Sequence, residues 1–169
     1  MRRGRRDLLL LLGATALSPL VACRKKQPPP PPAPPPPPPP PTLVSMAVKA
    51  APDVNPDLSG APQPVRVRVF QLTSPDRLTQ ATYFQLDKDP KAALADTFKA
   101  VDEKVLRPGE TWSYRAKPDD AVRFVGVVAS YQDIDHASWR ALKDIQRNAT
   151  TFLDADVGAK AVTIKDAPP

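Results

Sequence analysis

Cysteine and histidine are almost missing from this chain: Cys23 and His136 are the only ones among 169 residues. A single thiol excludes an intramolecular disulfide, so a folded domain must be held by its packed core alone. With one histidine and no free cysteine beyond Cys23, a zinc ligand set is not available. A dense basic stretch of the kind that holds nucleic acid is also lacking, although the formal net charge is +6. Long apolar runs are absent too; the one near the start, around Leu8–Leu12, is too short for a membrane span of about 20 residues.

What is present at the start reads as a targeting segment. Arg2, Arg3, Arg5 and Arg6 precede the Leu8–Leu12 run, and Leu20-Val21-Ala22-Cys23 follows it. Small residues before a cut and a lone thiol just after it fit the lipoprotein box at all four positions. Residues 1–22 are therefore expected to be a signal peptide, and Cys23 the first mature residue, carrying acyl chains such as palmitate. An ordinary signal peptide with a bare cysteine is the alternative. Arg5-Arg6-Asp7-Leu8-Leu9 also resembles a twin-arginine export signal. The leader holds four of the 24 basic residues and one of the 18 acidic ones, which leaves 20 against 17. That small excess is spread out, apart from Arg24-Lys25-Lys26, which is placed to rest on anionic head groups.

Pro28–Pro41 has 13 prolines in 14 positions, interrupted only by Ala33. Proline fixes its backbone angle and donates no hydrogen bond, so residues 23–41 are expected to form a lipidated start and a polyproline II spacer. At about 3.1 Å per residue the tract reaches on the order of 40 Å. A PxxP ligand for a recognition domain is the other reading.

Residues 42–169 are left for one folded domain. Thr42–Ala50 reads as a strand. Ala51–Pro64, rich in Pro, Asn, Asp and Gly, reads as a loop longer than a hairpin connection, and such loops often bind something. Val65–Leu72 alternates, with Val65, Val67 and Val69 on one face and Arg66 and Arg68 on the other, as in a half-buried strand. Ser74-Pro75 and Asp89-Pro90 look like helix starts, with Tyr83, Phe84 and Leu86 packing a short helical insertion onto a sheet. Thr97–Leu106, Thr111–Ala116 and Arg123–Tyr131 read as strands. Within the last, Phe124–Ala129 is apolar on both faces, with Gly126 leaving room for a close neighbour. Trp139–Ile145 fits helix or strand, and Asn148–Asp154 and Ala159–Lys165 form a closing hairpin. Many strands with one helical insertion argue for a mainly β, two-sheet antiparallel sandwich.

Candidate chemistry is thin. His136 lies in Asp133-Ile134-Asp135-His136-Ala137-Ser138, where the three residue types sit too close in sequence to turn toward one another as a triad. The aspartates could contribute to a calcium site, which takes six to eight oxygen ligands, but two or three on a turn read as a solvated loop. Trp112 and Trp139 read as core or rim residues; stacking on a sugar is the rival, and would make the chain a lipid-anchored module for cell-wall or sugar ligands. A small hydrolase around Asp133–Ser138 is a second rival.

The lipobox, the first strand, Asn55-Pro56-Asp57 with Gly60 and Pro64, and Val65–Leu72 together resemble the TssJ family (also VasD or SciN), the outer-membrane lipoproteins of type VI secretion. Tyr83–Leu86, Leu106–Glu110, Val125–Tyr131 and Trp139-Arg140 agree in order. The resemblance implies a transthyretin-like sandwich with no enzymatic activity and no cofactor besides the lipid on Cys23. It implies attachment to the outer membrane on its periplasmic side, with no nucleic-acid partner. The implied partner is the periplasmic part of a TssM-like inner-membrane protein, with TssL in the same complex. It maps partner binding to Asp53, Val54, Asn55, Pro56, Asp57 and Leu58. The proline tract is not part of that pattern.

Overall fold

A computed structural model describes residues 35–169, of which Pro37–Pro169 form one folded unit. The leader, Cys23, Arg24-Lys25-Lys26 and the first half of the proline tract lie outside the described residues. Among the described residues, eight strands make two sheets of four. One sheet holds β4 (Thr111–Ala116), β1 (Leu43–Ala50), β7 (Thr150–Val157) and β8 (Val162–Asp166), in that order. The other holds β3 (Phe98–Leu106), β2 (Val65–Leu72), β5 (Phe124–Ser130) and β6 (Arg140–Asp144). The expected mainly β, two-sheet sandwich is what the chain forms. Trp139–Ile145 resolves as a strand, and β7 and β8 form the closing hairpin.

One pair departs from the antiparallel expectation. β1 and β7 run parallel, from Leu43 opposite Thr150 to Ala50 opposite Val157. Alternation specifies which side chains point inward but is blind to strand direction, so the pattern in Leu43–Ala50 could not reveal it. Val44, Met46 and Val48 from β1 meet Leu153, Ala155 and Val157 from β7 in the space between the sheets, with Val65, Val67, Val69, Val125 and Val127 opposite.

β2 is buried on both faces, where a half-buried strand was expected. Its valines face the inter-sheet core, while Phe70 and Leu72 belong to a second core beneath the helical insertion. Arg68, on that same side, is only 4% exposed. Three helices cover it: α1 (Asp76–Gln80), α2 (Tyr83–Lys88) and α3 (Pro90–Leu94). At five or six residues each they are far shorter than a helix that is stable alone. Each drives one leucine into the sheet, Leu78, Leu86 and Leu94, all fully buried, and each such burial contributes roughly 1.5–3 kcal/mol.

Their ends are specified locally. Thr82 and Gln85 form a reciprocal capping box for α2, and Asp89 caps α3 ahead of Pro90. α1 starts one residue later than expected, with Pro75 at the cap and Ser74 Oγ accepting from the Asp76 N–H. Arginines on the sheet hold the other ends. Arg140 donates to the Leu78 and Ala81 carbonyls, and Arg68 to the Leu86 carbonyl at 3.0 Å. Cations at helix C-termini satisfy carbonyls that lack helical partners. Arg66 pairs with Asp87, which is also 3.6 Å from Arg68. Phe84, expected to pack the insertion down, is 66% exposed instead, because the turn of α2 that buries Leu86 points Phe84 outward.

Gly126 on the central strand β5 leaves room for Leu78 of α1. A Cβ there would stand 2.4 Å from Leu78 Cδ2, inside the second core. Gly126→Ala is expected to destabilise the domain by roughly 1–3 kcal/mol, the range for overpacked cores. Chemical denaturation should show the loss, and the cost should shrink in a Leu78→Ala background, where the colliding methyl group is gone.

Candidate functional site

One end of the sandwich is built from three connections: residues 51–64 between β1 and β2, residues 131–139 between β5 and β6, and residues 158–161 between β7 and β8. Asn55 ties them together. It is 4% exposed and adopts φ 50°, a left-handed backbone that asparagine tolerates better than most residues. Its Nδ2 donates to the Pro64 carbonyl at 2.9 Å, its Oδ1 accepts from the Gln132 N–H at 2.8 Å, and its own N–H donates to the Ala159 carbonyl at 3.2 Å. Tyr131 adds a hydroxyl bond to the Gly158 carbonyl at 3.0 Å, and the Ser138 N–H donates to the Lys160 carbonyl at 2.8 Å.

Asp57 shapes the tip. Its Oδ1 accepts from the Ser59 N–H and hydroxyl and from the Ala61 N–H, at 2.8, 2.6 and 3.0 Å, while Oδ2 accepts from Gln63 Nε2 at 2.9 Å. Gly60 completes the turn at φ 84°. These bonds, that from the Ser59 hydroxyl foremost, hold the Asp57 carboxyl below its ordinary value. Because the folded form binds its proton less readily, the carboxylate's contribution to stability is fully present above about pH 4 and is lost as pH falls through the lowered value. Leu58 sits at the apex with 110% relative exposure, an apolar side chain touching nothing on a turn that is tied at every side.

Of the six residues assigned to partner binding, the structure divides the roles. Val54 and Asn55 are buried and build the loop; Asp53 and Leu58 are exposed; Pro56 and Asp57 are half-buried. Cys23 lies outside the described residues. Beside the tip, an open cleft of about 680 Å³ is lined by Pro56, Asp57, Leu58, Gly60, Gln132, Asp133 and Lys160. Gln132 and Lys160 were not singled out from the sequence. Nothing in a linear reading links position 132 or 160 to position 57, since the link is made by the Asn55 side chain and the β7–β8 turn.

The Asp133–Ser138 stretch contributes to the rim. Asp133 accepts from Lys160 Nζ at 2.7 Å and is 2.6 Å from His136 Nδ1, and these two contacts, Lys160 first, hold its carboxyl below the ordinary range. His136 points into solvent, and Ser138 is engaged through its backbone with the β7–β8 turn. Among the described residues no group of three or more His, Cys, Asp or Glu side chains could hold a metal ion. Trp139 packs edge-on against Tyr83 at 5.6 Å and carries the Arg140 guanidinium over its ring at 4.5 Å. Trp112 packs edge-on against Tyr114 at 5.4 Å. Both are half-buried wall residues, as expected for core or rim positions.

A family model described as Type VI secretion lipoprotein (VasD, EvfM, TssJ, VC_A0113) matches residues 42–164. The chain belongs to this family. Among solved structures, the T6SS lipoprotein TssJ1 from Pseudomonas aeruginosa is 35% identical, with a TM-score of 0.74 over 77% of this chain and 99% of that one. Lip from Serratia marcescens, a membrane-bound component of the type VI secretion system, is 23% identical, with a TM-score of 0.69 over 76% of this chain and 100% of Lip. A chain in a structure described as the T6SS protein TssM C-terminal domain from EAEC is 22% identical, with a TM-score of 0.59 over 74% and 98%. The last two likenesses concern the fold. No curated protein matches the chain.

For this type VI secretion lipoprotein, Asn55 and Leu58 separate framework from display. Asn55→Ala leaves the Gln132 N–H and the Pro64 carbonyl without their partner and puts alanine in a left-handed conformation, so a loss of about 2–4 kcal/mol is expected. Leu58→Ala removes a side chain with no contacts and is expected to change stability by less than about 0.5 kcal/mol. Paired thermal and chemical denaturation of the two variants checks both statements.

Proposed function

We propose that this chain is the outer-membrane lipoprotein of a type VI secretion membrane complex and acts as an anchor. Acyl chains on Cys23 hold it in the outer membrane after removal of residues 1–22, and residues 23–41 space the domain from that surface. The loop end of the sandwich, with Leu58 at its tip, docks the periplasmic domain of a TssM-like inner-membrane protein, and TssL belongs to the same complex. The observation that carries this reading is Leu58, wholly exposed on a turn immobilised by Asp57 and Asn55. A backbone already fixed in its turn meets a partner with little main-chain ordering entropy left to lose. Family membership supports the secretion role, and the sandwich recurs at low identity in structures described as a Type VI membrane complex and as the TssM C-terminal domain.

Nothing in this mechanism needs catalysis. A single acyl chain attaches a protein only marginally, whereas two give a stable anchor, so the lipid on Cys23 supplies one grip and the loop end the other. The rival sugar-binding reading gains no support from the tryptophans. Trp139 has one ring face under Arg140 and stands nearly perpendicular against Tyr83.

Titration of the domain with the periplasmic domain of the cognate TssM-like protein tests the docking role. Leu58→Asp, which leaves the framework untouched, is expected to weaken binding by about 30-fold or more, the loss typical of a central anchor. Unchanged affinity in Leu58→Asp and in a deletion of Asp53–Ser59 would refute the assignment. Cys23→Ser should abolish the acylated mass and shift the protein from the membrane to the soluble periplasmic fraction.

A further inference from the structure

The outer edge of β3 is a second place where the chain leaves apolar side chains uncovered. β3 is a nine-residue strand that, among the described residues, pairs only with β2. Val101 and Val105, on the same face as the insertion, are 37% and 56% exposed. On the other face Asp102 accepts from the Tyr114 hydroxyl at 3.0 Å, and Lys104 pairs with Glu110 at 2.9 Å. An exposed strand edge presents unpaired N–H and C=O groups that template another strand.

We propose that β3 pairs antiparallel with β3 of a second copy of this chain, about a two-fold axis at Glu103, joining two four-stranded sheets into one of eight. The residue pattern selects both the occupant and the register. A two-fold axis normal to the sheet keeps the insertion-side face of each copy on the same side, so odd-numbered residues must oppose odd ones. Centring on Glu103 sets Val101 opposite Val105 twice and Asp102 opposite Lys104 twice. Apolar and opposite-charge cross-strand pairs are the favourable ones. Centring on Asp102 instead sets that carboxylate against itself and Val101 against Glu103. Centring on Lys104 sets lysine against lysine and Val105 against Glu103.

In the favoured register the one central like-charge pair is Glu103 with its counterpart, and Arg66 Nη1 lies 4.0 Å from Glu103 Oε2 to offset it. Lys99 and Arg107 meet only at the ends of the seam. A single-strand seam is smaller than most stand-alone dimer interfaces, so it forms where copies are concentrated. It lies on a sheet edge and shares no residue with the Leu58 tip.

The test is a cysteine at the axis. The full chain, carrying Glu103→Cys, is exported to an oxidising compartment and run on a non-reducing gel. Residues facing each other across an antiparallel pair have Cα atoms about 4.5–5.5 Å apart, within disulfide range. The expected result is a disulfide-linked dimer joined through position 103, identified by mass spectrometry, with far-UV circular dichroism unchanged. Asp144→Cys on β6, at the opposite edge of the same sheet, should not cross-link. Adding Asp102→Lys should cut the dimer yield roughly fivefold by opposing two like charges across each half of the seam. Adding Lys104→Asp to that variant should restore it. Leu58→Asp should leave the yield as it was. No linkage through position 103, equal linkage from Asp144→Cys, a bond to a different protein, or no rescue by the charge swap would overturn the proposal.

Discussion

The domain depends on β2 being sealed on both faces at once. Val65, Val67 and Val69 complete the core between the sheets, while Arg68, Phe70 and Leu72 form the floor on which the helices rest. A strand with one apolar and one cationic face would ordinarily show the cations to water. Here three helices lie over them, and the arginines become the clasps. Arg68 is driven below its ordinary pKa, first by burial and then by Arg66, and two of its nitrogens, Nε and Nη2, have no hydrogen-bond partner among the described residues. Burying a guanidinium this way is costly. The cost is offset by what it holds: a bond to the end of α2, the nearby Asp87 carboxylate, and the Phe70 ring 5.6 Å beneath its charge.

That arrangement also determines where the molecule can act. The helices cover one outer face of the sandwich, and the outer face of the opposite sheet is cross-linked by Lys49–Asp154 and Lys165–Asp156 ion pairs, as befits a solvated surface. Among the described residues, large apolar side chains are left exposed in a few places. These are Leu58 at the loop end, Leu43 at the start of β1, Val101 and Val105 on the β3 edge, and Phe84 on α2. Surfaces of this kind are what the proposed anchoring role would call on.

Much of the fold could be read directly from the chain. The alternation in Val65–Leu72, the doubly apolar Phe124–Ser130 segment and the space needed at Gly126 follow from strand geometry and hold in three dimensions. Periodicity failed where an outcome depended on a remote partner. Arg66 and Arg68 looked solvent-facing because the helices that cover them lie some ten to twenty residues further on. Phe84 looked like a packing residue because only the starts at Ser74 and Asp89 were legible, whereas the Thr82 cap restarts the helix between them and turns Phe84 outward. The parallel run of β1 with β7 spans about a hundred residues and leaves no local mark.

The candidate docking loop shows the same limit more sharply. Its composition declared a long loop, and family resemblance pointed to Asp53–Leu58, yet those six residues do three different jobs. Asn55 has side-chain bonds to residues nine and seventy-seven positions away, so its role as a staple is invisible until the sandwich closes. Asp57 bonds only within six positions, and its Asx-type turn with Ser59 and Gly60 is the part that local chemistry does specify. Leu58 then follows from both. A local turn lifts one leucine clear of the surface, and a long-range staple prevents that turn from drifting. A flexible loop of the same composition would have to lose its freedom on meeting a partner, whereas this one has already lost it on folding. The buried positions of the motif therefore serve the exposed one, and a residue can matter for docking without ever touching what is docked.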